Sequence, residues 1–252
     1  MEQKNILLLT ATITPMPGLP SLARVDPKAR LDDYLTALRF YAPLLGRCFD
    51  AIVFAENSNS DVQALKDHVR QAGVADRVEF VSFDGLDFPA SHGRGYGEFK
   101  LVDHAMAHSA ILRERSDAVV WKCTGRYVVE NIEQLVRGRP PVDLYCHKRD
   151  YPYRLCELFM LSYTAKGYDR LIRGVYRQLC NDVVPGVHST EEVLFRTIID
   201  AATRDATVCP RFRSTPLIRA IRGWNNASYR SRTDPRIILR QVANVIAPWL
   251  WI

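Results

Sequence analysis

An α/β fold is expected for this 252-residue chain, with a mostly parallel central sheet flanked by helices and a helical extension at the C-terminus. Three observations lead there. Apolar runs of strand length alternate with segments of helical spacing through the first half of the chain, as strand–helix–strand units require. The run Ala118-Val119-Val120-Trp121 has no polar face, which suits a central strand covered on both sides. The stretch 211–240 is rich in arginine, carries a single acid in Asp234, and leads into an amphipathic end. We therefore divide the chain into a main domain, 1–210, and a basic extension, 211–252.

The elements follow in order. Residues 5–10 read as a first strand, and the Pro-, Gly- and Thr-rich segment after it is of the kind that often contacts ligand, with Arg24 and Arg30 as its charged members. Leu31, Tyr34, Leu35, Leu38, Tyr41 and Leu45 have helical spacing, with Gly46 as a stop. A second buried strand over 50–55 ends in Glu56-Asn57-Ser58. A helix from Val62 and a strand over 77–83 follow. A glycine loop, Gly93, Gly95 and Gly97, then leads into a helix whose apolar face holds Phe99, Val102, Ala105 and Met106. Beyond the 118–121 strand comes the polar turn Lys122-Cys123-Thr124-Gly125-Arg126-Tyr127, which apolar packing does not explain. Later segments read as a helix over 130–136, strands over 142–147 and 154–163, and a helix over 165–180. Ser189 and Glu192 form a capping box opening a helix over 193–202.

Composition excludes several classes. Hydrophobic residues make up 47% and charged ones 25%, ordinary for a globular chain. The six cysteines are scattered without a CxxC pair, so reduced thiols are expected rather than a zinc site. No run is long and apolar enough for a conventional transmembrane helix, and the first residues lack the pattern of a signal peptide, so a cytoplasmic location is expected. Gly93, Gly95 and Gly97 do not have the spacing of the dinucleotide fingerprint, which disfavours a nicotinamide enzyme. Nucleic acid is not expected as a partner, because the arginine-rich stretch lacks interleaved aromatic platforms, although Trp224 and Tyr229 lie within it. For residues 236–252, whose Ile238, Val242, Val245 and Ile246 share a stripe, two readings stay open. One is docking on an anionic membrane surface, the inner face of the cytoplasmic membrane; the other is packing on the body of the protein or at a dimer interface.

In an open α/β sheet, ligands bind beyond the carboxyl ends of the strands, where the 122–127 turn falls. Three stretches in order resemble glycosyltransferases of the GT-A fold, a Rossmann-like α/β architecture, over about residues 4–200. IVFAENSNSD resembles the family's second strand and acidic turn, which contacts the nucleoside; Glu56 and Asn57 would hold those positions. GRGYGEFKLVDHAMAHSAILRERSDAVVWKCT has the layout that precedes the DxD metal motif. STEEVLF resembles the late acidic pair that often supplies the base. The KxTGRY turn also resembles that of bacterial enzymes of lipopolysaccharide and capsule assembly.

The departure from the family is a cationic turn where DxD would stand. A lysine and an arginine can neutralise a diphosphate without a cation, so no metal and no cofactor is expected beyond the nucleotide-sugar co-substrate. The resemblance implies a nucleotide-sugar donor and a glycan or lipid-linked acceptor. Donor-binding candidates are Thr12, Glu56, Asn57, Arg94, Lys122, Thr124, Arg126 and Tyr127. Glu191, Glu192 and His188 are candidates for the base, Glu191 preferred because Glu192 is engaged in the capping box. In a second arrangement Arg24, Arg30 or Arg94 holds the phosphates and Lys122 is structural. Glu98 either favours a helix N-terminus through the dipole or contacts ligand. Two other classes share the fold: a sugar nucleotidyltransferase, and a binding module that has lost catalysis.

Overall fold

The computed structural model describes residues 3–150, 154–178, 190–229, 238–239, 241–242 and 246. Its strands are β1 (Asn5–Ala11), β2 (Ala51–Glu56), β3 (Val78–Ser82), β4 (Val119–Thr124), β5 (Val128–Val129), β6 (Leu144–Tyr145), β7 (Lys148–Arg149), β8 (Leu155–Cys156), β9 (Met160–Tyr163), β10 (Val208–Cys209) and β11 (Ile218–Arg219). The helices are α1 (Pro27–Tyr41), α2 (Gln63–Gln71), α3 (Gly93–His108), α4 (Ala110–Glu114), α5 (Ile132–Arg137), the single turn α6 (Ala165–Gly167) and α7 (Thr190–Ile199).

Seven strands form one sheet in the order β10-β6-β9-β4-β1-β2-β3. β1 pairs in parallel with β2 and β4, and β2 with β3. β9 runs antiparallel to both β4 and β6, and is the reversed strand of an otherwise parallel sheet. This is the mostly parallel α/β architecture, with helices on both faces of the sheet, that the sequence predicts.

The two-residue period of a strand divides the core into two layers. Leu7, Leu9, Ile52, Phe54, Val119 and Trp121 face α1, α2 and α5, where Tyr34, Leu38, Leu65 and Leu135 meet them. Ile6, Leu8, Val53, Ala55 and Val120 face the other way, onto Phe99, Val102 and Ala105 of α3 and Leu194 of α7. Lys122 follows Val120 by two residues, so its side chain enters the α3 layer.

Several elements depart from expectation for local reasons. α1 starts at Pro27, because the Asp26 side chain caps Lys28 N at 2.9 Å and a proline fits the first turn. The expected glycine loop is the first turn of α3, with Gly93 at φ 80°. α3 stops at Ser109, which caps α4, and the Glu79 carboxylate accepts from Ala110 N at 2.8 Å and Ile111 N at 3.0 Å at that helix start. The helix expected over 165–180 is broken into short turns within its described residues, with Gly174 at φ 72°. Strand β4 runs on to Thr124, so half of the expected turn is strand. Cys48, Cys123, Cys146, Cys156 and Cys209 are free thiols. Among the described residues no helix is long and apolar enough to cross a membrane.

Residues 211–229, the described start of the expected extension, pack against the main body of the chain, where β11 and β5 form a separate two-stranded sheet. Phe212 is buried against Tyr145, and β11 pairs antiparallel with β5. Tyr229 packs edge-on against Tyr127 at 5.1 Å.

Candidate active site

At the carboxyl ends of β1, β2 and β4 lies a cavity of about 470 Å³, within the size range of small-molecule sites. Its floor is made where β1 and β4 end. Gly125 N donates to Thr10 O at 2.8 Å, and a Cβ at Gly125 would lie 2.9 Å from that same oxygen, so only glycine lets the two strand ends approach so closely. Tyr127 N closes the turn on Thr124 O at 2.9 Å. Tyr41, fully buried, holds it from below: its hydroxyl donates to Tyr127 O at 2.8 Å and accepts from Val129 N at 3.0 Å.

Of the residues singled out in the sequence, Thr12, Asn57, Arg94, Thr124, Arg126, Tyr127 and Glu191 line this cavity. Asn57 is fixed by Thr12 Oγ1, which donates to its Oδ1 at 2.6 Å, and by its own Nδ2, which donates to Gly97 O at 3.3 Å. Glu192 is not among the lining residues. His188, and Ser189 of the expected capping box, lie outside the described residues.

Two of the donor-binding candidates are buried side chains. Lys122 is completely buried, and its Nζ donates to Glu98 Oε1 at 2.5 Å and to Leu158 O. It lies in the α3 layer and is not among the residues that line the cavity, a placement that suits the second arrangement, in which Lys122 is structural. Glu56 is also fully buried. Its Oε1 accepts from Ile13 N at 3.1 Å, Ser58 N at 2.9 Å and Ser58 Oγ, and its Oε2 accepts from Ser60 N at 3.1 Å. It ties the loop after β1 to the loop after β2, leaving Asn57 as the member of the pair that faces the cavity.

The arginines divide in the same way. Arg24 spends its charge on Asp33 through two bonds, at 2.9 and 3.0 Å. Arg30, buried in α1, donates to Thr12 O at 2.7 Å, Arg24 O at 3.0 Å and Tyr34 Oη at 3.2 Å, all neutral acceptors. Arg126 donates to Ile221 O and, at 3.2 Å, to Tyr127 Oη, and its guanidinium lies over the Tyr127 ring. Arg94 extends from the first turn of α3. Arg94 and Arg126 crowd one glycine: a Cβ at Gly223 would lie 2.6 Å from Arg126 Nη2 and 3.4 Å from Arg94 Nη1. Among the described residues no carboxylate forms an ion pair with Arg30, Arg94 or Arg126. Gly93, Arg94 and Gly95 of α3 line the same cavity, so the positive end of the helix dipole adds to the two guanidinium groups. Glu98, Glu157 and Glu191 line the same cavity, but among the described residues none of them forms an ion pair with Arg94 or Arg126.

Trp224, Tyr229 and Glu157 also line the cavity, and neither motif nor spacing in the sequence assigns them to it. The segment 220–229 reaches the cavity through backbone contacts, Ala23 N and Arg24 N both donating to Gly223 O at 2.8 and 3.0 Å. Glycine-tryptophan in an arginine-rich stretch is the one local oddity that marks the place.

Fold and cavity together define a mostly parallel α/β domain with a cleft at its strand ends lined by both arginines and glutamates. No protein-family model and no curated protein matches the chain. Among solved structures it is similar to a protein of Desulfovibrio desulfuricans G20 assigned as a nucleotide-diphospho-sugar transferase, at 13% identity and a TM-score of 0.46 over 82% of this chain and 79% of that one. The galactosyltransferase LgtC, in complex with donor and acceptor sugar analogues, is similar at 11% identity and a TM-score of 0.46 over 81% and 72%. A nucleoside-diphosphate-sugar pyrophosphorylase from Vibrio cholerae RC9 is similar at 8% identity and a TM-score of 0.44 over 81% and 89%.

Proposed function

We propose that the chain is a glycosyltransferase that moves a sugar from a nucleotide-activated donor to a glycan or lipid-linked acceptor in bacterial surface polysaccharide synthesis, such as that of lipopolysaccharide or capsule. One observation carries the reading: Arg94 and Arg126 converge on Gly223 beside the N-terminus of α3, without carboxylate partners among the described residues, where the strands end. A diphosphate is the ligand that such a pair of forks and a helix end would take. These guanidinium groups stand in for a divalent cation, and Asn57 and Thr12 offer polar contacts for the nucleoside.

In the reaction, the acceptor hydroxyl gives its proton to a carboxylate as its oxygen bonds the anomeric carbon. The bond from that carbon to the diphosphate breaks, and the departing oxygens keep the electron pair. Glu191 is the base in this scheme, supported by its position in the cavity wall; transfer with inversion follows from a single displacement. Arg94 and Arg126 favour the transition state because charge grows on the leaving diphosphate as the bond breaks.

Thermal-shift measurements with UDP-, GDP-, CMP- and dTDP-sugars, with and without EDTA, test the reading. Stabilisation by one nucleotide series, unchanged by chelator, is the expected result, and no shift with any of them would overturn it. Arg126→Ala should weaken nucleotide binding by about tenfold or more, and Arg126→Lys should restore only part of it, because lysine lacks the bidentate fork. For 236–252 we propose docking on an anionic membrane, a reading supported by the exposed helical positions Ile238, Leu239, Val242 and Ile246. Flotation with anionic vesicles should recover the full chain and not one ending at residue 233; equal recovery removes the membrane role.

A further inference from the structure

Glu98 uses its two oxygens unequally. Oε1 accepts from Thr10 Oγ1 at 3.0 Å, Thr124 Oγ1 at 2.9 Å and Lys122 Nζ at 2.5 Å. Among the described residues Oε2 accepts no hydrogen bond, although the side chain lines the cavity and keeps 21% of its surface exposed. Three donors from the ends of β1 and β4 therefore fix the carboxylate through one oxygen, while no described residue donates to the second. A packing role alone would be served by either oxygen or by both; here one is saturated and the other is available.

An ionised carboxylate only accepts, so whatever fills the cavity beside Oε2 must present a donor. Arg94 and Arg126 demand an anion in the same space. A phosphorylated polyol offers both, and a free nucleotide offers its hydroxyls only on the ribose. Burial pushes the Glu98 carboxyl up, but Lys122 and the two threonine hydroxyls outweigh it and hold it below the ordinary carboxylate range. A carboxylate so held is a poor base and a good anchor.

We infer that Glu98 Oε2 receives a hydroxyl of the transferred sugar, which makes Glu98 the residue that anchors the sugar while Arg94 and Arg126 hold its diphosphate. This inference rests on the nucleotide-sugar reading above and assigns the sugar end of that ligand.

Calorimetry tests it by comparing each nucleoside diphosphate with its sugar derivatives: UDP with UDP-glucose and UDP-galactose, GDP with GDP-mannose, and dTDP with dTDP-glucose. The wild-type chain should bind one sugar nucleotide about tenfold more tightly than the bare diphosphate, the worth of one charge-assisted hydrogen bond. Glu98→Gln combined with Lys122→Met removes both buried charges together. It should bind the diphosphate within about threefold of wild type and lose the sugar's advantage. A folded double variant that keeps the advantage overturns the inference and leaves the nucleotide-sugar reading standing; a wild-type chain that binds none of the diphosphates overturns both. A second measurement needs no variant: among monodeoxy derivatives of the preferred sugar, one should bind wild type about tenfold more weakly, and a series that binds uniformly overturns the anchor.

Discussion

The Lys122–Glu98 pair shows how a single charge can serve the fold rather than the ligand. Lys122 Nζ is fully buried and has two oxygen partners, a carboxylate and the Leu158 carbonyl. Removing one member of such a pair strands the other in a low-dielectric layer. Lys122→Ala should therefore cost about 3–5 kcal/mol in urea unfolding, whereas the double variant with Glu98→Gln should cost less than the two single changes added together. The pH dependence has a fixed sign. The folded pKa of Glu98 lies below its ordinary value of 4.5, so its stabilisation is present above that value and is lost as the pH falls through the lowered one. Acid unfolding of the double variant should accordingly show a shallower loss between pH 5 and the lowered value than wild type. The sequence made this position conspicuous, because a lysine follows an apolar strand, but not its role: the period of β4 sends Lys122 into the α3 layer only if the strand continues to Thr124, and no local signal told strand from turn there. Arg126 stands past the end of the strand and Glu56 at the end of β2, where a buried loop clamp and a ligand carboxylate have the same local sequence.

Among the elements, the side-by-side carboxyl ends of the parallel strands β1 and β4 govern the cavity floor. Gly125 sits between them with Thr10 O 2.9 Å from where a Cβ would be, and the nearest atom is backbone, which cannot swing aside. Gly125→Ala should push the strand ends apart, lower stability by about 1–3 kcal/mol and loosen the Thr10 and Thr124 hydroxyls from Glu98; an unchanged melting temperature would mean that the turn yields without strain. Elements with a strong apolar run, such as β1, β2 and β4, were legible from the sequence to within a few residues. The segment 165–178 was not: its Tyr168, Leu171, Ile172 and Val175 stripe has helical spacing, yet Gly174 takes a left-handed φ, and Asp103 of α3 accepts from Gly174 N at 2.8 Å and Tyr168 Oη at 2.9 Å. A partner 65 to 71 residues away in sequence sets that break, and periodicity has no access to it.

At the scale of the whole molecule, the cavity closes only because the chain returns to it after the last strand of the sheet. Residues 211–229 bury Phe212 beside Tyr145, add β11 to β5, and bring Gly223 against Arg94 and Arg126. The arginine count of this stretch suggested a separate basic extension; what composition could not report is that the Gly223 carbonyl answers two backbone N–H groups of the loop after β1. A chain ending at residue 210 should therefore lose more than a tail. Exposing the site that Phe212 fills costs about 3–5 kcal/mol by itself, and the loss of β11 and of the Tyr127–Tyr229 contact adds to it. A chain ending at residue 229 keeps every one of these contacts, so the difference in urea unfolding between it and the chain ending at residue 210 isolates what residues 211–229 contribute. If the shorter chain is as stable as the longer, residues 211–229 are an appendage and the anion site is not built by them; if only the shorter one collapses, the cationic cleft and the core are one cooperative structure.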